Sequence, residues 1–137
     1  MPRRRRLRKV VAPPKFKGYM PYGNFGKTNE FIELLYEEYE AIKLADYDLL
    51  KHNEASELMG VSRPTFARIY ESARRKIAKA MVEVKEIRTV YGNAWLDKDW
   101  FICNECSSQF SIPDANMKKE CPICKSKLIR LINNIKV

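Results

Sequence analysis

Asn53-Glu-Ala-Ser-Glu-Leu-Met-Gly-Val-Ser-Arg-Pro-Thr-Phe-Ala-Arg-Ile69 is the stretch whose reading decides the fold. Ala55, Leu58 and Met59 place apolar groups on one face of a short helix, with Asn53 as its cap. Gly60 supplies the left-handed backbone that a tight helix exit needs. Ser62 caps a second helix, and Pro64 is tolerated in its first turn, where backbone N–H groups have no intrahelical partner. The pattern predicts a helix-turn-helix, a unit that offers the start of its second helix to the major groove of DNA.

Downstream, Phe66, Ile69, Ala73, Ile77, Ala80 and Val84 continue the second helix as an apolar stripe that faces a core. Arg63, Pro64, Ala67, Arg68 and Glu71 fall on the other side. Arg63 and Arg68 are the candidates for base edges, guanine O6 and N7 above all. Thr65, beside the capping Ser62, suits a phosphate or a thymine methyl. Arg74 and Arg75, with Lys76 and Lys79, are candidates for the phosphate backbone, which positions a protein without reading sequence. Upstream, Phe31, Leu35, Tyr39 and Ile42 recur at helical spacing after a possible cap at Thr28 or Asn29. Glu33, Glu37 and Glu40 then lie on the opposite face, and Glu37-Glu38 reads as solvated. After Val84, Ile87, Val90 and Tyr91 suggest a short strand, and Gly92-Asn93 a turn.

The formal net charge of +9 is placed unevenly. Residues 1 to 27 hold nine basic groups (Arg3, Arg4, Arg5, Arg6, Arg8, Lys9, Lys15, Lys17, Lys27) and no acid, and the rest of the chain balances 17 basic residues against 17 acidic ones. The first segment contains Pro2, Pro13, Pro14 and Pro21 and no helical period. It is expected to be an arm whose Arg3, Arg4, Arg5, Arg6, Arg8 and Lys9 track phosphates or enter a narrow minor groove. Its aromatics, Phe16, Tyr19, Tyr22 and Phe25, are expected to anchor its later part on the domain.

Several runs together resemble a known family. They are Glu40-Ala-Ile-Lys-Leu-Ala-Asp46, Glu54 through Ile69, and Ala73-Arg-Arg-Lys-Ile-Ala78, with the opening Met-Pro-Arg and Val10, Pro13, Pro21 and Gly23. They are similar to domain-of-unknown-function family 134, small bacterial and archaeal proteins described as predicted DNA-binding. The resemblance covers residues 1 to 91. The helix pair is also similar to region four of bacterial sigma factors, which reads promoter DNA. The resemblance implies a fold and a double-stranded DNA partner and no established task. The family pattern has Ala where this chain has Ser56, and Gly where it has Val84. With Val there, the third helix is expected to run on.

All four cysteines fall in the last segment. Cys103-Asn-Glu-Cys106 and Cys121-Pro-Ile-Cys124 form two C-x2-C knuckles separated by fourteen residues. Two such knuckles aim four thiolates at one tetrahedral metal, and the spacing suits a structural zinc ion. Disulfides are the alternative, disfavoured in a reducing cytosol. Cys-Pro-x-Cys also resembles half of a rubredoxin-type iron site, but that family has Gly after each knuckle where Ser107 and Lys125 stand here. Zinc is therefore preferred over iron. Trp95 and Trp100 are expected in the core of this ribbon.

These readings give a mainly α fold. A basic N-terminal arm (1–27) precedes a helix-turn-helix domain (28–92), and a small β-rich zinc ribbon (93–137) follows. No apolar run approaches a membrane span of about 18 residues, and no leader pattern follows Met-Pro-Arg-Arg-Arg-Arg, so a cytoplasmic protein is expected. There is no phosphate loop and no nucleophile elbow, and the sole histidine, His52, reads as a surface or capping residue rather than a catalyst. The expected function is not enzymatic: a DNA-binding transcriptional regulator, possible as a homodimer. A second reading is an accessory protein on the transcription or translation machinery, and a third a rubredoxin-like iron protein.

Overall fold

In a computed structural model, the described residues are 7–23, 30–96, 98–112 and 118–134. The architecture is mixed α/β rather than mainly α. Strands β1 (Arg8–Lys9), β2 (Gly18–Tyr19) and β3 (Phe31–Leu35) precede helix α1 (Tyr36–Ile42), which continues as a π-helical turn over Lys43–Tyr47. Helices α2 (His52–Met59) and α3 (Arg63–Val82) follow. Then come β4 (Glu86–Val90), β5 (Ala94–Trp95), β6 (Trp100–Cys103), β7 (Gln109–Ser111) and β8 (Ile129–Leu131).

Phe31 to Leu35, expected as the first turns of a helix, form a strand instead. Glu86–Val90 supplies a β-prone partner, and Phe31–Leu35 pairs with it in parallel, Phe31 opposite Glu86 through Leu35 opposite Val90. Parallel neighbours need a long crossover, and the whole helical unit α1–α3 is that crossover. Gly18–Tyr19 pairs antiparallel with the other edge of β4. A side chain at Gly18 would put its Cβ 2.1 Å from the Ile87 carbonyl oxygen, so only glycine fits that approach. The helix starts where Glu38 reaches back: its Oε1 accepts the Leu35 N–H at 2.8 Å. That is the return half of a capping box, with no side-chain acceptor at Leu35 to complete it.

The helix pair forms as expected. Its core is Ala41, Leu44, Ala55, Met59, Phe66 and Ile69, all buried. The cap of α2 is Lys51 rather than Asn53. Gly60 takes φ 66°, and Val61 N–H bonds the Ser56 carbonyl at 3.0 Å, closing α2. Ser56 is itself 4% exposed, small enough to sit between the helices. Ser62 Oγ accepts the Thr65 N–H at 3.3 Å and starts α3. His52 opens α2 and lays its ring 5.1 Å from Phe66 and 5.2 Å from Tyr70, so it packs at the edge of this core.

The expected lengthening of α3 does not occur. The helix ends at Val82, and Lys85 N–H bonds the Ala80 carbonyl at 2.8 Å across a left-handed Val84 at φ 55°. The glycine-type turn is kept with a β-branched residue in it, which is strained.

A second cluster joins all three segments read from the sequence: Val10, Tyr36, Ala94, Ile102 and Ile132 are buried together. Arg8–Lys9 pairs in parallel with Ala94–Trp95. Arg8 and Lys9 are therefore strand residues of this core rather than part of a free tail, because Val10, Pro13 and Pro14 beyond them are fully buried. Trp100 packs on this cluster, whereas Trp95 is 40% exposed and faces outward beneath the Lys9 ammonium, 5.5 Å from its ring. Among the described residues no helix is long and apolar enough to cross a membrane.

Replacing Val84 by Gly removes the strain and little burial, since Val84 is 40% exposed. The variant is expected to gain about 1 kcal/mol, strain relief outweighing the backbone entropy of glycine. Urea unfolding checks this, and a lower midpoint for Val84→Gly would contradict it.

Candidate functional site

The first turn of α3 is set by its cap and by what lies under it. Ser62 Oγ also donates to Thr65 Oγ1 at 2.9 Å, and Arg68 Nη2 approaches the same oxygen at 3.5 Å. Ser62, Arg63 and Arg68 are exposed, and Thr65 is half-buried. The opposite stripe, Phe66, Ile69, Ala73 and Ala80, is buried as expected. Further along, Arg74 is exposed with its guanidinium 5.3 Å from the Tyr70 ring, and Arg75 is exposed and paired with Glu71 at 2.8 Å. Such an exposed pair holds weakly and leaves Arg75 available. Lys79 is exposed. Lys76 is committed inward, its Nζ 2.7 Å from Glu38 Oε1 and 2.9 Å from the Glu33 carbonyl oxygen.

The acidic face of α1 is the main correction to the sequence reading. Glu37, Glu38 and Glu40 are 3%, 3% and 1% exposed, not solvated. Glu38 is fully used: Leu35 N–H, Lys76 Nζ and Ser72 Oγ at 2.6 Å all donate to it. Glu37 Oε2 accepts the Asn93 N–H at 2.8 Å. The chain comes that close because Gly92 has no side chain, and a Cβ there would lie 2.4 Å from Glu37 Oε1. Neither Glu40 oxygen has a partner with good hydrogen-bond geometry among the described residues, although the Val11 backbone faces the carboxyl. Burial pushes its carboxyl pKa up, and Lys43 and the Val11 backbone oppose this only in part. The sequence held one signal for this network, the Glu three residues after the helix start, but a helix start at Leu35 had to be known first.

Arg8 is brought to the same place. With Glu37, Glu38, Thr65, Arg68 and Ser72 it lines a cavity of about 410 Å³. So one basic residue of the N-terminal segment stands beside two residues of α3 read as DNA contacts. Arg3, Arg4, Arg5 and Arg6 lie outside the described residues.

The four cysteines converge. Their sulfurs all lie within 4.8 Å of one another. Cys103 Sγ is 3.5 Å from Cys124 Sγ, and Cys106 Sγ is 3.5 Å from Cys121 Sγ. A tetrahedron with metal–sulfur bonds of 2.3 Å needs edges of about 3.8 Å, so the set fits a metal ion. Cys103 and Cys121 are buried, with Phe110, in a small third cluster. In each knuckle the N–H four residues on closes the turn: Lys125 to the Cys121 carbonyl at 2.9 Å, and Ser107 to the Cys103 carbonyl at 3.0 Å. The Glu105 and Cys106 N–H groups point at Cys103 Sγ, at 3.4 and 3.5 Å. Ser107 and Lys125 both take φ 64°. The missing glycines therefore do not change the knuckle backbone, and they no longer discriminate iron from zinc. The Ser108 hydroxyl, 3.0 Å away, and its backbone draw the Cys106 thiol down to about 6. At Cys124 the Ser126 backbone opposes the rise, yet burial and the three neighbouring sulfurs hold it at about 12. Four thiolates this close cannot all be charged without a cation among them.

A Glu40→Gln variant tests the buried acid. Its folded-state pKa is raised above the unfolded value of 4.5. Below that value both states are protonated and nothing is lost. As pH rises through it towards the folded value, the unfolded state sheds its proton first and stability falls. Gln copies the protonated form. The variant is therefore expected to match the native chain near pH 4 and to exceed it increasingly towards pH 7 by urea unfolding. A stability gap that stays flat with pH would contradict the burial argument.

Three comparisons bear on what this chain is similar to. Residues 1–96 match the family described as "Protein of unknown function DUF134". A "UPF0251 protein" of Chloroherpeton thalassium is 42% identical over 127 residues, covering 93% of this chain and 84% of that one. One from Methanothermobacter thermautotrophicus is 37% identical over 133 residues, 97% of this chain and 69% of that protein. One from Caldicellulosiruptor saccharolyticus is 42% identical over 127 residues, 93% and 86% of the two chains. These alignments are longer than the 96 residues of the family match, so they reach into the cysteine-bearing segment. No solved structure matches the chain at a significant level.

Proposed function

The chain belongs to the DUF134 family, and we propose that it is a double-stranded DNA-binding protein, a transcriptional regulator that reads the major groove through α2 and α3. The observation that carries this is the open start of α3: Arg63 and Arg68 are exposed, the ribbon packs elsewhere, and of the N-terminal strand Arg8 alone lines the cavity beside Thr65 and Arg68. In this reading Arg63 and Arg68 bond base edges, and Ser62 and Thr65 fix the approach to the groove wall. Arg74 and Arg75 meet phosphates. Arg3 to Arg6 precede Arg8 by a few residues only. Arg8 lines the cavity beside Thr65 and Arg68, and a run of arginines next to it in sequence suits a phosphate-tracking arm.

Selection from a random duplex pool tests the reading directly. One enriched motif is expected, and it is expected to be lost in Arg63→Ala with Arg68→Ala, each bidentate base contact accounting for about 1–3 kcal/mol of discrimination. Both residues are exposed, so the variant is expected to keep its fold. No enrichment at low salt would instead favour a role on RNA or on the transcription machinery.

The arm has its own readout. Deleting residues 2 to 6 spares β1, and it is expected to flatten the slope of log K against log salt by about 3 to 4 if all four arginines meet phosphates. An unchanged slope would remove the arm from the interface.

For the metal we propose one structural zinc ion held by Cys103, Cys106, Cys121 and Cys124. Four protein sulfurs close its coordination and leave no position for a substrate. The ion supplies a cross-link for a small β-rich segment whose own cluster is Cys103, Phe110 and Cys121. The purified protein is expected to be colourless, with one zinc per chain. Chelation is expected to collapse the NMR dispersion of residues 100 to 132, to shift Tyr36 at the start of α1, which packs with Ile102 and Ile132, and to leave the α2 and α3 signals in place. A red protein with iron thiolate absorption would overturn zinc, and a ribbon unmoved by chelation would overturn the structural role.

A further inference from the structure

Two exposed surfaces of this chain combine apolar side chains with charge of opposite sign, and the fold uses neither. The first is the second cysteine knuckle. Its backbone is fixed by the Cys121 N–H bonding the Ser126 carbonyl at 2.9 Å and the Asn104 N–H bonding the Leu128 carbonyl at 2.8 Å. Ile123 is nevertheless 73% exposed and Leu128 is exposed too, with exposed Lys125 and Lys127 between them. Neither lysine makes an ion pair among the described residues. Residues 118–130 hold five basic groups against Glu120 alone. This edge therefore stays positive even after the two negative charges that four thiolates around one divalent ion leave. The second surface is the outer face of α2 and the bend that leads into it. Ala55 and Met59 are buried in the helical core, so Glu54, Glu57 and Leu58, at spacings of three and four, share the exposed face. Neither glutamate makes an ion pair among the described residues. In the bend, Tyr47 and Leu49 are each 80% exposed, and Leu49 holds φ 58°. That leucine is unfavourable twice, in left-handed backbone and in water, and no contact with its own fold offsets either cost.

We infer that these two surfaces dock on each other between two copies of the chain. Ile123 and Leu128 of one copy cover Leu58 and Leu49 of the other, and Lys125 and Lys127 meet Glu54 and Glu57. Apolar burial supplies the affinity, and the opposite charges set the register and the choice of partner. Used twice about a two-fold axis, the contact closes a dimer and leaves neither surface free. A duplex is a poorer occupant of both. The α2 glutamates repel phosphate, and residues 121–128 contain neither the arginine nor the aromatic ring that base contacts use. A dimer of this kind carries two α3 starts, so its duplex motif is one half-site repeated in inverted order. That consequence rests on the DNA-reading proposal, and the dimer itself does not.

Analytical ultracentrifugation of the full-length, metal-replete protein without DNA tests this. A monomer–dimer equilibrium is expected, weaker at high salt because the charge pairs lie at the surface. Two charge-reversed chains are then compared, one with Lys125→Glu and Lys127→Glu, the other with Glu54→Lys and Glu57→Lys. Each alone is expected to weaken the dimer about tenfold or more, since like charges then face each other in both contacts. Mixed together they are expected to recover it, because one contact is native and the other has the same pairs with their charges exchanged. Recovery also shows that both variants fold. Should either misfold, Leu49→Gly keeps the left-handed bend, removes the apolar side chain, and is expected to weaken the dimer while preserving the fold. A monomer at every concentration, a dimer weakened by none of these changes, a mixture of folded variants that stays monomeric, or open-ended association would each overturn the interface. Loss of duplex affinity in the lysine variant of a chain that never dimerises would assign the knuckle to nucleic acid instead. A dimer that enriches no duplex would fail the DNA reading and leave the interface standing.

Discussion

Glu38 sits where the parallel sheet, α1 and α3 meet, and its carboxylate holds the three in register. Leu35 N–H, Ser72 Oγ and Lys76 Nζ converge on it, one from the end of β3 and two from the middle of α3. A buried charge of this kind is tolerated only when its lone pairs are filled by good donors, and here they are. Lys76 also donates to the Glu33 carbonyl, so α3 is clamped along β3 as well as against α1. The clamp determines which way α3 faces. With Lys76 and Ser72 turned inward and Phe66 and Ile69 in the helical core, Arg63 and Arg68 are left on the outside.

The adjacent carboxylate extends the same logic to the rest of the chain. Glu37 receives the backbone at Asn93, and Gly92 makes room for it. That turn leads into Ala94–Trp95, which pairs with Arg8–Lys9, and Ala94 is buried with Val10, Tyr36, Ile102 and Ile132. The N-terminal segment, the helix-turn-helix and the cysteine ribbon therefore share packing around α1. The Cys103 knuckle follows Ile102 directly, so a metal that orders the knuckles also steadies one wall of that shared cluster.

Local physics was legible in the sequence. The α2–Gly60–Ser62–α3 unit follows from a helix period, a left-handed residue and a cap, all within about thirty residues, and the structure has each of them. The four cysteines were equally readable, because two C-x2-C knuckles leave few arrangements. What could not be read depended on partners far away in the chain. Phe31–Leu35 carries a helical period, yet it is a strand because Glu86–Val90 offers it a ladder. Glu37, Glu38 and Glu40 look solvated on a helical wheel, yet they are buried because Lys76, Ser72 and Asn93 come to two of them. Arg8 and Lys9 look like tail because nothing local announces Ala94–Trp95 as a partner. Val84, Ser107 and Lys125 hold left-handed turns that glycine would have announced.

In the proposed DNA-reading role, α3 presents its first turn to a duplex while Ser72 and Lys76 further along it are clamped by Glu38. Amide NMR of the intact protein during titration with duplex DNA at low salt tests this most directly. The predicted result is that the largest perturbations fall on residues 62 to 68, weaken through 74 and 75, and spare β3 and β4. Perturbations confined to the cysteine ribbon, or none at all on α3, would contradict it.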